Sequence, residues 1–216
     1  ELMEIADRFG ALNEGRLSAL KPVVDLSIDE QRAVYNKMAA AFRKPRSEVV
    51  EVTEKTVETV SVRIYEAGDP TRTVMYCHGG GFVVGALNSH DAVCSALCEQ
   101  TGSRVVAVDY RLAPENEHPA QFDDAWTVLQ WIATTYDGGV VLAGDSAGGT
   151  LAAVVSLMAA ERDGPEIDHQ ALLYPAIGVE EEQESVEQNA GIVLDEADLR
   201  FFEDCYYGSE VHRRNP

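Results

Sequence analysis

The sequence predicts an α/β fold: a mostly parallel sheet flanked by helices. Short apolar runs rich in β-branched residues recur from residue 73: TVMYC (73–77), RVVAVDY (104–110), VVLAG (140–144) and QALLY (170–174). Between them lie longer segments with helical spacing: HDAVCSALCEQTG (90–102), PAQFDDAWTVLQWIATTYDGG (119–139) and AGGTLAAVVSLMAAERDGP (147–165). A strand that is apolar throughout is buried on both faces, and strand–helix alternation is how parallel neighbours are joined. Gly102 ends the first helix, Pro119 opens the second, and Gly164–Pro165 stops the third.

Elements outside this series follow from their own patterns. Leu2, Ile5, Phe9, Leu12 and Leu17 are spaced as on a helix over residues 2–20. LSIDEQRAVYNKMAAAFRK (26–44) reads as a second helix, with Ser27 and Glu30 as a capping box. SEVVEVTEKTVETVSVRIYEAG (47–68) alternates apolar and polar residues, as half-buried antiparallel strands do. Residues 178–190 are acidic and unpatterned, a solvated loop, and DEADLRFFEDCYYG (195–208) is a final helix capped by Asp195. A sheet ending near residue 175 leaves a parallel edge strand exposed, which folded proteins normally avoid. The expectation is that further C-terminal strands are missing from this chain.

Composition narrows the functional classes. The formal net charge is −20, from 37 acidic and 17 basic residues, which opposes binding to nucleic acid. Only four basic residues are lysines, a balance that suits either a salt-adapted protein or an ordinary soluble surface. No apolar run reaches the roughly 18–20 residues of a membrane span. Cys77, Cys94, Cys98 and Cys205 match no zinc-ligand spacing and read as buried free thiols, which favours a reducing, cytoplasmic compartment. No metal or organic cofactor is implied.

Two glycine-rich segments carry candidate chemistry. Gly144-Asp145-Ser146-Ala147-Gly148 is a G-x-S-x-G between a strand and a helix, the context of a nucleophile elbow. The tight turn needs small neighbours, and the helix start turns N–H groups toward a developing oxyanion. The competing reading is a serine that merely caps the helix. CHGGGF (77–82) follows another apolar strand, and its glycines let backbone N–H groups approach a ligand. With the elbow, they form the pattern of an HGGG oxyanion hole. GGGFVVG (79–85) is out of register for a dinucleotide fingerprint, and no lysine follows a glycine as in a Walker A loop. The string GDSAGG is close to the GDSGGP of β-barrel proteases, but the helix predicted after Ser146 rejects that fold.

HGGGF (78–82), DYRLAPE (109–115), HPAQFDDAW (118–126) and GDSAGG (144–149), in this order, resemble the hormone-sensitive-lipase family of α/β-hydrolases, in particular its bacterial acetyl-esterase branch. The resemblance implies an α/β-hydrolase fold with a helical cap, in which residues 1–45 form an N-terminal cap segment. Residues 46–216 form the core, with 178–210 contributing to the cap. It implies a serine carboxylesterase acting on short acyl esters, with Ser146 as nucleophile. The N–H groups of Gly80, Gly81 and Ala147 would form the oxyanion hole, with Gly79 shaping it. His78 would support the loop, and Asp123–Asp124 and DYRLAPE would stabilise the fold. A homodimer is in keeping with the family.

The family's triad acid and histidine come after the serine, on strand ends beyond this chain. His169 is expected at the sheet end opposite Ser146, and His212 in a polar tail. His90 and His118 precede Ser146 and look like helix-start residues. No triad acid or base is assigned. The alternative is a non-catalytic binding protein on the same scaffold, as in the plant gibberellin receptors.

Overall fold

A computed structural model describes residues 26–177 and 196–208. The predicted helix at 2–20, the loop at 178–190, Asp195 and His212 lie outside the described residues. In chain order the elements are α1 (Ile28–Phe42), β1 (Glu51–Val57), β2 (Val60–Glu66), β3 (Arg72–Cys77), α2 (Asp91–Thr101), β4 (Arg104–Asp109), α3 (Ala120–Thr135), β5 (Gly139–Asp145), α4 (Ala147–Glu161), β6 (His169–Leu173) and α5 (Glu196–Tyr207).

The strands form one sheet in the order β1-β2-β4-β3-β5-β6. β1 pairs antiparallel with β2, and β2 with β4; the remaining pairs are parallel. Alternation along β3 divides its side chains between two cores. Met75 and Cys77 pack with α3 and α4 through Phe122, Leu129, Leu151 and Val155. Val74 and Tyr76 face the other way, against Cys94 and Cys98 of α2. This two-sided burial explains the unbroken apolar runs. β6 departs from it: of its five residues only Leu172 is even partly buried, and beyond β5 it has no partner among the described residues.

Local signals act largely as expected. Ser27 and Glu30 form the reciprocal capping box of α1, and Gly102 closes α2 in the left-handed conformation. α4 stops slightly earlier than its glycine and proline suggest: it ends at Glu161, and Asp163 takes the left-handed turn (φ 50°). The Gly164 N–H then donates to Ala159 O at 2.8 Å.

Ile28 and Tyr35 of α1 pack against Val83, Val84 and Ala113, and the segment that follows α1 is tied down by charge. Asp91 at the start of α2 is fully buried and receives Arg43 at 2.7 Å, Arg46 at 3.3 Å and Arg63 at 3.2 Å. The Tyr65 hydroxyl donates to the same carboxylate at 3.0 Å. Asp124 anchors DYRLAPE by accepting from the Arg111 guanidinium and backbone N–H, which matches the fold-stabilising role expected for that motif.

Candidate active site

A single residue, Ser146, separates β5 from α4. Its backbone sits at φ 51°, ψ −122°, a conformation that costs a non-glycine residue on the order of 1–3 kcal/mol. The turn is held from both sides: the Ser146 N–H donates to Leu173 O on β6 at 2.9 Å, and Thr150 N–H donates to Ser146 O at 3.0 Å. The side chain makes no capping bond to its helix and is half-buried, so the reading of Ser146 as a helix cap fails.

The flanking glycines are required by close approach. A Cβ on Gly144 would lie 2.6 Å from Cys77 O, and one on Gly148 would run into the carbonyl oxygens of Cys77 and His78. Cys77 and Gly144 are partners in the β3–β5 ladder, so sheet register presses the two glycine-rich segments together.

The loop after β3 turns tightly. Gly80 (φ 125°), Gly81 (φ 60°) and Phe82 (φ 62°) are in left-handed territory, and the N–H groups of Val83 and Val84 both donate to Gly80 O. Gly79 is committed: its N–H donates to Asp145 Oδ1 at 3.0 Å. The Gly79 N–H is therefore already engaged and is not free to serve as a donor to a ligand. The N–H groups of Gly80, Gly81 and Ala147 make no hydrogen bond among the described residues.

Beneath both segments lies a polar network for which the sequence reading assigned no role to Asp145 or Tyr76. Asp145 Oδ1 also accepts from the Tyr76 hydroxyl at 2.8 Å, and His90 Nε2 lies 3.3 Å away. Burial alone would raise the Asp145 carboxyl; the bonds from His90, Tyr76 and Gly79 outweigh it and hold the group below the usual carboxylate range. His90 Nδ1 rests 2.9 Å from Ser89 Oγ. His78 is buried, with Nδ1 at 2.8 Å from Gly79 O, and Tyr110 donates its hydroxyl to His78 O at 2.6 Å. The His78 ring stacks between His90 and Tyr110, and burial lowers its pKa to about 4. This agrees with the expected role of His78 as support for the loop.

The other histidines fall as follows. His90 and His118 do stand at helix starts, but His90 faces Asp145 and His118 bonds the Tyr206 hydroxyl at 2.9 Å. His169 opens β6 opposite Val141, at the sheet end away from Ser146, and is exposed. No described histidine hydrogen-bonds Ser146 Oγ, and among the described residues no cluster of acidic, histidine or cysteine side chains is grouped to hold a metal ion. Nor is any described helix long and apolar enough to cross a membrane.

Known proteins resemble this chain in sequence and fold. An α/β-hydrolase-fold family matches residues 74–216. The esterase LipI of Mycobacterium tuberculosis is 36% identical over 88% of this chain, and the ethyl acetate hydrolase of Pseudomonas putida is 30% identical over 90% of it. The chain spans 65% and 67% of those two proteins' lengths. The crystal structure of a thermostable esterase from Pseudomonas putida ECU1011 superimposes with a TM-score of 0.88 at 29% identity, covering 97% of this chain and 69% of that one. Shared sequence over most of its length and shared backbone around the elbow have one explanation: the chain belongs to the hormone-sensitive-lipase-like family of α/β-hydrolases.

Proposed function

We propose that this chain carries the nucleophile and oxyanion hole of a serine carboxylesterase acting on small acyl esters. Ser146 Oγ attacks the acyl carbonyl, and its proton passes to a histidine base lying outside the described residues. The carbonyl oxygen becomes an oxyanion facing the N–H groups of Gly80, Gly81 and Ala147. Collapse expels the alcohol, which takes the proton from the base, and leaves an acyl-enzyme on Ser146. Water, deprotonated by the same base, attacks the acyl carbon, releasing the acid and restoring the serine.

The observation that carries the reading is the Ser146 backbone. A serine strained at φ 51° between strand and helix, with its hydroxyl spent on no cap, is explained by a need to present that hydroxyl. The preference for short acyl groups rests on the family resemblance and on a relative named for ethyl acetate hydrolysis. In this proposal α1 and α5 belong to a cap over the acyl pocket. In the same proposal the protein is cytoplasmic, in keeping with its four free cysteines, three of them buried, and homodimeric, as the family resemblance implies.

The test is hydrolysis of p-nitrophenyl esters together with labelling by a fluorophosphonate. Ser146→Ala should lower kcat by about 10⁴-fold or more, abolish the adduct and leave the circular dichroism unchanged. Hydrolysis or labelling that survives the substitution refutes the assignment.

A further inference from the structure

The outer side of the glycine loop is gripped by two helices distant in sequence. Gly81 lies under the ring of Phe202 on α5: a Cβ built on Gly81 would stand 2.6 Å from the ring Cγ and 2.8 and 2.9 Å from its two Cδ atoms. One turn later on α5, Tyr206 stacks on Phe82 with ring centroids 4.2 Å apart and planes 16° from parallel. Residues four apart share a helix face, so α5 covers two successive loop residues with one stripe. Tyr206 is itself pinned, because its carbonyl accepts from His118 N–H at 2.9 Å and its hydroxyl bonds His118 Nδ1. From the other side, Arg32 of α1 donates to Val83 O at 2.9 Å and Ala113 O at 3.0 Å while pairing with Glu115. Ala113 N–H closes the grip on Phe82 O at 2.8 Å.

A loop opening with three glycines has little stiffness of its own, since each glycine has more backbone freedom to lose than any other residue. An oxyanion hole works only if its donors are already aimed when charge develops. We infer that Phe202 and Tyr206 are positioning residues of the oxyanion loop, holding the Gly81 N–H in its working direction by packing α5 on Gly81 and Phe82. This rests on the esterase reading and extends it: cap and oxyanion hole form one mechanical unit.

The experiment compares Phe202→Ala and Phe202→Leu with wild type on p-nitrophenyl acetate, butyrate and hexanoate, alongside amide hydrogen exchange across residues 79–84. Misplacing one donor should lower kcat about 10- to 100-fold for Phe202→Ala, equally for all three esters and with KM nearly constant. Phe202→Leu should recover part of the loss. Exchange at Val83 and Val84, whose N–H groups donate to Gly80 O, should quicken in Phe202→Ala while the β3 amides stay protected. A KM effect graded by acyl length, with loop exchange unchanged, would make Phe202 a wall of the acyl pocket and overturn the inference. If wild type hydrolyses none of the esters, the esterase reading fails by itself, and exchange at Val83 and Val84 still decides whether Phe202 holds the loop. Should Phe202→Ala not fold, Phe202→Leu supports the inference by a smaller uniform loss in kcat and refutes it by a chain-length-dependent KM.

Discussion

Acidification should destabilise this protein through His78 before most carboxylates titrate. The ring is buried between His90 and Tyr110, and Nδ1 spends its proton on Gly79 O. A second proton would go to Nε2, a buried atom with no hydrogen-bond partner among the described residues. Burial, reinforced by His90, accordingly lowers the pKa from 6.5 to about 4. The unfolded chain therefore binds more protons than the folded one across that window, so stability is full above about pH 6.5 and falls as pH drops toward 4. At about 1.36 kcal/mol per pH unit the total loss is on the order of 3 kcal/mol. For a chain of this size that corresponds to a drop in Tm of roughly 6–12 °C. Urea midpoints measured from pH 7.5 to 4 should show this slope, and His78→Asn, which cannot titrate there, should lose it while starting from lower stability. A His78 ring resonance titrating near pH 6.5, or an equal slope in the variant, would refute the reasoning.

Two further outcomes follow from the packing. Gly148→Ala places a methyl group against the backbone carbonyls of Cys77 and His78, which cannot retreat without breaking the β3–β5 ladder. It should cost about 3 kcal/mol or more in chemical denaturation and remove fluorophosphonate labelling of Ser146. Asp91→Ala strands the buried Tyr65 hydroxyl and takes one acceptor from Arg63, which keeps Glu54 and Asn88, whereas the half-exposed Arg43 and Arg46 can turn to water. The expected loss is about 2–4 kcal/mol in the urea midpoint, and preserved stability would show that the cluster is only a surface ion-pair network.

What the sequence disclosed, and what it hid, divides by range. Periodicity and punctuation act over a few residues, so the capping box at Ser27 and Glu30, the left-handed Gly102 and the turn at Ser146 were all readable. The two glycine motifs were readable too, because close approach of backbone leaves glycine as its signature. The order of the strands was not, since nothing in RVVAVDY says that it lies between β2 and β3. Asp145 was hidden for the same reason: its partners Tyr76, Gly79 and His90 are 55–69 residues away in sequence. The exposed edge of β6 was foreseen from the end of the strand series, but its exposed faces were not, because an apolar run records what a strand can bury and not what covers it. Gly79 shows the finer limit, as its place in the motif was plain but the acceptor for its N–H was not.

The pairing of Cys77 with Gly144 makes the site a matter of alignment, indifferent to the amount of chain in between. Everything from α2 through α3 forms a crossover whose length enters the closure of that loop only logarithmically. Insertions at its surface turns could grow new surface without disturbing the elbow. One residue added or deleted inside β3 or β5 would act differently, flipping every following side chain to the opposite face and pulling His78–Phe82 out of step with Ser146. Variation in length is thus tolerated at the crossover turns and forbidden within two strands of six or seven residues.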